Sequence, residues 1–168
     1  IRVGNTTWSA MTGISSQTSS PSNLVIILKD RVYHSVIDEE SSRTGFGRAL
    51  TFWNSGNITQ LVVSAPLTTQ DRTFDCGIVY VYSLQKLENG SEQFQLKHSI
   101  RTSSCGGFGA VVADIGDIDG DSFTDIAVGS VYDNSVHIIR GGETGVQSSV
   151  SQTIRPQEPL KEYDNMFG

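Results

Sequence analysis

Short runs of apolar residues, each bounded by Gly, Pro, Asn, Asp or Ser, recur along this chain, and the periodicity of an amphipathic helix is scarce. Gly77-Ile78-Val79-Tyr80-Val81-Tyr82 and Ser135-Val136-His137-Ile138-Ile139-Arg140 have the alternating character of strands. Leu61-Val62-Val63-Ser64-Ala65-Pro66 and Ile126-Ala127-Val128-Gly129-Ser130 are denser apolar runs, small at their ends, and each comes just before one of the alternating segments. More polar strands are predicted near Phe94 to Ile100 and near Ser149 to Ile154. The link Lys86-Leu87-Glu88-Asn89-Gly90 reads as an exposed hairpin before the first of them.

These segments fall into a repeat. Gly45-Phe46-Gly47-Arg48-Ala49-Leu50 is answered by Gly107-Phe108-Gly109-Ala110-Val111-Val112, and Phe167-Gly168 opens a third copy; the Phe positions are spaced by 62 and 59 residues. Each complete copy predicts a strand after Phe-Gly, a polar hairpin, a small apolar strand, an alternating strand and a polar outer strand. Four short antiparallel strands recurring at this spacing describe the blade of a β-propeller, with the small second strand near a crowded axis. The expected fold is therefore all-β: about two complete blades, residues 46–106 and 107–166, with part of a preceding blade in residues 1–45 and the start of another at 167–168. In the first of these segments, Asn23 to Leu28 and Arg31 to Ile37 read as the later strands, joined across Lys29-Asp30, with Ser15 to Ser22 as a loop.

Charge and composition remove several functional classes. The chain has 168 residues, 17 of them Gly, and a net charge of −6 without a cluster of Lys and Arg, which argues against a nucleic-acid partner. No continuous apolar run is long enough to cross a bilayer. Beginning at Ile1 and stopping in mid-pattern at Gly168, the sequence reads as an excerpt from a longer protein. Asn5-Thr6-Thr7, Asn57-Ile58-Thr59 and Asn89-Gly90-Ser91 fit the N-glycosylation pattern and lean towards a secreted or cell-surface protein, the alternative being plain polar loop residues. Gly107-Phe108-Gly109 is not a dinucleotide fingerprint, because Val112 takes the place of the last Gly and a strand follows. His34, His98 and His137 are isolated on predicted strands and read as surface or packing residues, and no Gly-x-Ser-x-Gly elbow activates a Ser. Enzymatic activity is not expected. Phe46, Phe108, Tyr80 and Tyr82 are read as packing between blades, and Phe52 and Trp53, beside a turn, are also read as packing in preference to an exposed patch.

Phe-Gly, then an acidic hairpin, then Ile-Ala-Val-Gly-Ser resembles the Phe-Gly/Gly-Ala-Pro repeats of the integrin α-subunit propeller, over nearly all of Gly45 to Gly168. The second copy is similar to one of the later calcium-binding blades of that seven-bladed domain. Similar repeats form the noncatalytic C-terminal propeller of glycosylphosphatidylinositol-specific phospholipase D, a secreted alternative, and a lectin-like or matrix propeller is a third class. The integrin resemblance implies a cell-surface segment that pairs with a β subunit and contributes to recognition of an extracellular matrix or cell-surface ligand. Membrane attachment would then come through other parts of the protein.

The acidic hairpin of the second copy carries the candidate chemistry. Counting Asp117 as position one, Asp117, Asp119, Asp121 and Asp125 place carboxylates at positions one, three, five and nine, and the Phe123 carbonyl stands at seven. Ca²⁺ takes six to eight oxygen ligands at about 2.3–2.6 Å in a pliant cage, which four carboxylates, a carbonyl and water can supply; Mg²⁺ holds its waters and demands stricter octahedral geometry. An EF-hand would need Gly at six, Glu at twelve and a following helix, whereas here Ser122 and Val128 occupy those places and the flanks are strands. Integrin-like repeats usually carry Gly at position six, so a positive φ would strain Ser122. Asp114, at the end of the preceding strand, is a poorer ligand. The first copy has Phe52-Trp53-Asn54-Ser55-Gly56-Asn57-Ile58-Thr59 in the equivalent place, a shorter turn without a carboxylate, and cannot form the same site. Blade topology brings Cys76 and Cys105 out on the face opposite the calcium hairpins, where they are candidates for one bridge, with partners elsewhere in the protein as the alternative.

Overall fold

A computed structural model of the chain describes residues 44–69 and 75–157 with their side chains, and the backbone of four earlier strands between Arg2 and Val36. The described residues form twelve strands and no helix, arranged as three four-stranded antiparallel sheets. The first sheet orders β1 (Arg2–Val3), β2 (Thr6–Gly13), β3 (Asn23–Leu28) and β4 (Arg31–Val36) consecutively, with Leu28 facing Arg31 across the predicted link. Alternation alone predicted only β3 and β4 here. Strand β2 is dominated by small and hydroxyl residues, which blurs the contrast between its faces and hides it from a hydrophobic pattern. The Ser15 to Ser22 loop, the Asn5 sequon and Phe167-Gly168 lie outside the described residues.

The second sheet runs β5 (Leu50–Ser55), β6 (Ile58–Ala65), β7 (Ile78–Lys86) and β8 (Glu92–Ile100). The third runs β9 (Phe108–Gly116), β10 (Asp125–Ser130), β11 (Ser135–Ile139) and β12 (Gln152–Ile154). Their shared signature has a backbone cause. Both glycines of each Gly-Phe-Gly have positive φ, +66° and +82° at Gly45 and Gly47, +70° and +96° at Gly107 and Gly109. Side chains rarely adopt that region, so the turn selects Gly twice. In both copies the first Gly carbonyl accepts from the amide three residues on, Arg48 at 3.0 Å and Ala110 at 3.1 Å. The Phe between them is thereby aimed inward and buried.

Strand alternation then sorts the second sheet. Phe52, Leu61 and Tyr82 stand opposite one another on one face, where they cluster with Phe46, Val63, Ala65 and Phe94. Trp53, Val62, Val79, Val81 and Ile100 occupy the other face and pack against Phe108, Val112, Ile126, Val128 and Ile139 of the third sheet. Burial on both faces is why β6 reads as a continuous apolar run. Two consecutive sheets thus share one core, as stacked blades do.

The two sheets are also fastened at both ends. At the β6–β7 end, Cys76 and Cys105 form a disulfide, and the Gly107 amide donates to the Asp75 carbonyl at 2.6 Å. Gly77, with φ +81°, lies so close to the Phe108 backbone that a side chain there would collide with it. At the opposite end, the Val146 amide donates to the buried Gln60 Oε1 at 2.7 Å, and the Trp53 indole donates to the Thr124 carbonyl at 2.5 Å. Trp53 and Phe52 are therefore core residues, with 0% and 3% of their surfaces exposed.

Candidate metal centre

The loop between β9 and β10 is folded by its own carboxylates. Asp117 accepts from the amides of Gly120 at 2.7 Å, Asp121 at 3.2 Å and Ser122 at 2.8 Å, so that the chain wraps around one side chain. Asp121 turns one oxygen onto the Phe123 amide at 2.9 Å, and Asp119 accepts from the Asp121 amide at 3.2 Å. The Ser122 hydrogen bond first, followed by those from Gly120, Asp121 and Asp119, holds the Asp117 carboxyl below the usual carboxylate range. This side chain is kept as an anion. Such a wrap forces the backbone into the left-handed region at Gly120 (φ +83°) and at Ser122 (φ +74°), and the latter is the strained position the sequence indicated.

Asp125 closes the hairpin and joins it to the core. It is fully buried; one oxygen accepts from the Ile118 amide at 3.1 Å and the other from the Gly141 amide at 2.9 Å. A buried carboxylate needs such donors, and here they come from both the loop and the segment after β11. Pairing of Asp125 with Gly116 and a bulge before Ile126 let the strand resume after the wide loop.

The result is a convergence of like charge. Asp117, Asp119 and Asp125 each offer an oxygen within 4.8 Å of the others. Asp121, also predicted as a ligand, lies in the same loop but outside that trio of carboxylates. The donor set suits a hard cation: every candidate donor is oxygen, and the gathered carboxylates repel one another without positive charge between them. Asp114 is occupied differently, accepting from the Gly116 amide at 2.9 Å.

Two participants escaped sequence reasoning. Arg140 pairs with Asp119 at 2.6 Å, and Trp53 grips the loop from the preceding sheet. A strand-terminal Arg carries no periodic signal. For Trp53, the alternation of β5 offered a hint, because it places Phe52 and Trp53 on opposite faces. Of the sequons, Asn57 and Asn89 are exposed in turns, and Asn89 Oδ1 accepts from the Ser91 hydroxyl at 2.6 Å. Of the histidines, His137 is buried, bonded to Ser135 Oγ at 2.9 Å and Thr153 Oγ1 at 3.0 Å, whereas His98 is half-buried.

Three antiparallel four-stranded sheets, two of them stacked and one bearing an acidic hairpin, define a partial β-propeller of integrin-like repeats. No family model matches the chain. Among curated proteins, integrin alpha-5 of Xenopus laevis is 34% identical over 143 residues, which cover 78% of this chain and 13% of that protein. Integrin alpha-PS5 of Drosophila melanogaster is 30% identical over 148 residues, covering 85% and 14%. Integrin alpha-6 of Gallus gallus is 32% identical over 132 residues, covering 76% and 12%. The chain belongs to the integrin α family as a segment of its Phe-Gly repeat propeller, and it spans about an eighth of the length of these relatives. A Bacteroides fragilis protein provisionally assigned as a 6-phosphogluconolactonase aligns over 96% of this chain and 40% of its own, with TM-score 0.55 and 10% identity, a likeness of fold alone.

Proposed function

We propose that this segment is a calcium-binding, noncatalytic part of an extracellular propeller in an integrin-α-like adhesion receptor. Its whole protein would pair with a β subunit and recognise a matrix or cell-surface ligand, as integrin α chains do. The observation that carries the calcium reading is the convergence of Asp117, Asp119 and Asp125 within 4.8 Å on a hairpin tied to the adjoining sheet. Asp121 and the Phe123 carbonyl would complete the protein's share of the ligands. When bound, calcium supplies the positive charge that neutralises these carboxylates and fixes the hairpin. The loop residues orient the ligands, Asp125 links them to the core, and Trp53 carries that order into the preceding blade.

An outward-facing location is supported by the Cys76–Cys105 disulfide together with exposed acceptor sites at Asn57 and Asn89. Calorimetric titration with CaCl₂ before and after Asp121→Ala and Asp125→Ala tests the site. Loss of one binding event in either variant is expected, and unchanged binding in both would sink the cage.

A further inference from the structure

We propose that Arg140 is a tethered cation that competes with calcium for Asp119, making the hairpin bind the ion more weakly than its carboxylates alone would and holding the loop together without it. This rests on the calcium reading of the hairpin given above. Arg140 follows directly on β11, and its guanidinium reaches Asp119 Oδ2 at 2.6 Å. Its position is imposed by the backbone next to it. The Gly141 amide is bonded to the buried Asp125 Oδ1, and a side chain at Gly141 would collide with the Thr124 carbonyl and crowd the Trp53 indole. Residues 140 and 141 are thus pressed against the hairpin base by the same carboxylate that closes the loop. Arg140 reaches the ligand set from a fixed anchor.

A guanidinium keeps its charge at any physiological pH. Against Asp119 it attracts; against a divalent ion held by Asp117, Asp119 and Asp125 it repels, and binding must either displace it or tolerate it. With the Arg140 side chain 47% exposed, water screens that repulsion, which leaves an expected effect of about three- to tenfold in calcium affinity. The same charge stabilises the calcium-free loop by balancing one of its carboxylates. Arg140 therefore sets the calcium concentration at which the hairpin fills, and Asp119 is the ligand through which it does so.

The test is calorimetric titration of the full chain with CaCl₂ for the parent, Arg140→Gln and Arg140→Lys, each read against an Asp117→Asn/Asp119→Asn background that isolates this hairpin. Arg140→Gln should bind about three- to tenfold more tightly than the parent, Arg140→Lys should stay near the parent, and the Gln advantage should shrink at high salt. In EDTA, Arg140→Gln should melt below the parent. Equal or weaker calcium binding by Arg140→Gln overturns the proposal while leaving the calcium site standing. A parent titration identical to the double-Asn background removes the calcium reading itself, and this inference with it.

Discussion

The second and third sheets are copies of one design that differ at two places, and the differences show which parts of the repeat carry architecture. In each copy, Phe between two positive-φ glycines packs on the third strand: Phe46 lies 5.7 Å from Tyr80, and Phe108 lies 5.2 Å from His137. Register makes Tyr80 and His137 equivalent, since Tyr80 faces Val63 and His137 faces Val128. The hairpin between the first two strands differs far more. In the second sheet Ser55 faces Ile58 across Gly56-Asn57 alone, whereas in the third Gly116 faces Asp125 across eight residues bearing three of the aspartates. A two-residue turn with Gly56 at φ +54° closes by backbone conformation. The long acidic loop closes through side chains, and it borrows Trp53 from the short-turn sheet to hold its Thr124 carbonyl. A blade can thus form with or without the acidic loop, but the loop leans on its neighbour.

The largest expected effect comes from breaking that dependence. Trp53→Ala should cost about 3–5 kcal/mol of stability by opening a cavity in the core shared by the two sheets. Trp53→Phe keeps most of the packing and removes only the indole hydrogen bond, for about 1–2 kcal/mol. Chemical denaturation reads both, and a Trp53→Phe loss near zero would detach the Thr124 contact from the stability of the hairpin.

A smaller effect separates Tyr80 from His137. Burial, above all, lowers the His137 pKa; Asp133 works against that and Arg155 with it. The ring is also bonded to Ser135 and Thr153 and packed on Phe108. Because the folded pKa is depressed, the unfolded chain takes the proton first as pH falls below about 6.5, and stability is lost from there down through the folded pKa. His98, also lowered chiefly by burial, contributes in the same direction. Thermal melts at pH 7 and pH 5 should therefore differ by about 2–5 °C more in the parent than in His137→Gln. A pH dependence unchanged by that substitution would assign the effect elsewhere.

The smallest effect sharpens the contrast between the hairpins by its sign. Ser122→Gly relieves a left-handed backbone at a non-glycine position and should stabilise the chain by about 0.5–1 kcal/mol, after the entropy cost of added Gly. Gly56→Ala, at the short turn, should destabilise by about 1 kcal/mol for the opposite reason. Melting curves in EDTA check both, and a destabilising Ser122→Gly would mean that the Ser side chain contributes more than its strain costs.

Much of this was legible because the determinants are local. Period-two alternation marks strands, a Gly pair marks positive φ, and aspartates at every second position mark a charge-dense hairpin whatever the rest of the chain does. Strand β2 was missed for lack of a hydrophobic contrast, and Arg140 because it is distant in sequence from the aspartate it meets. The sequence alone determined the all-β repeat, the Gly-Phe-Gly turns and the acidic loop, since each depends on backbone preference or charge spacing within a few residues. Only the tertiary structure decided that Trp53 supports the loop of the next sheet, that Arg140 meets Asp119, and that Cys76 joins Cys105. Those contacts depend on how two sheets stack, a long-range outcome that short-range periodicity does not encode.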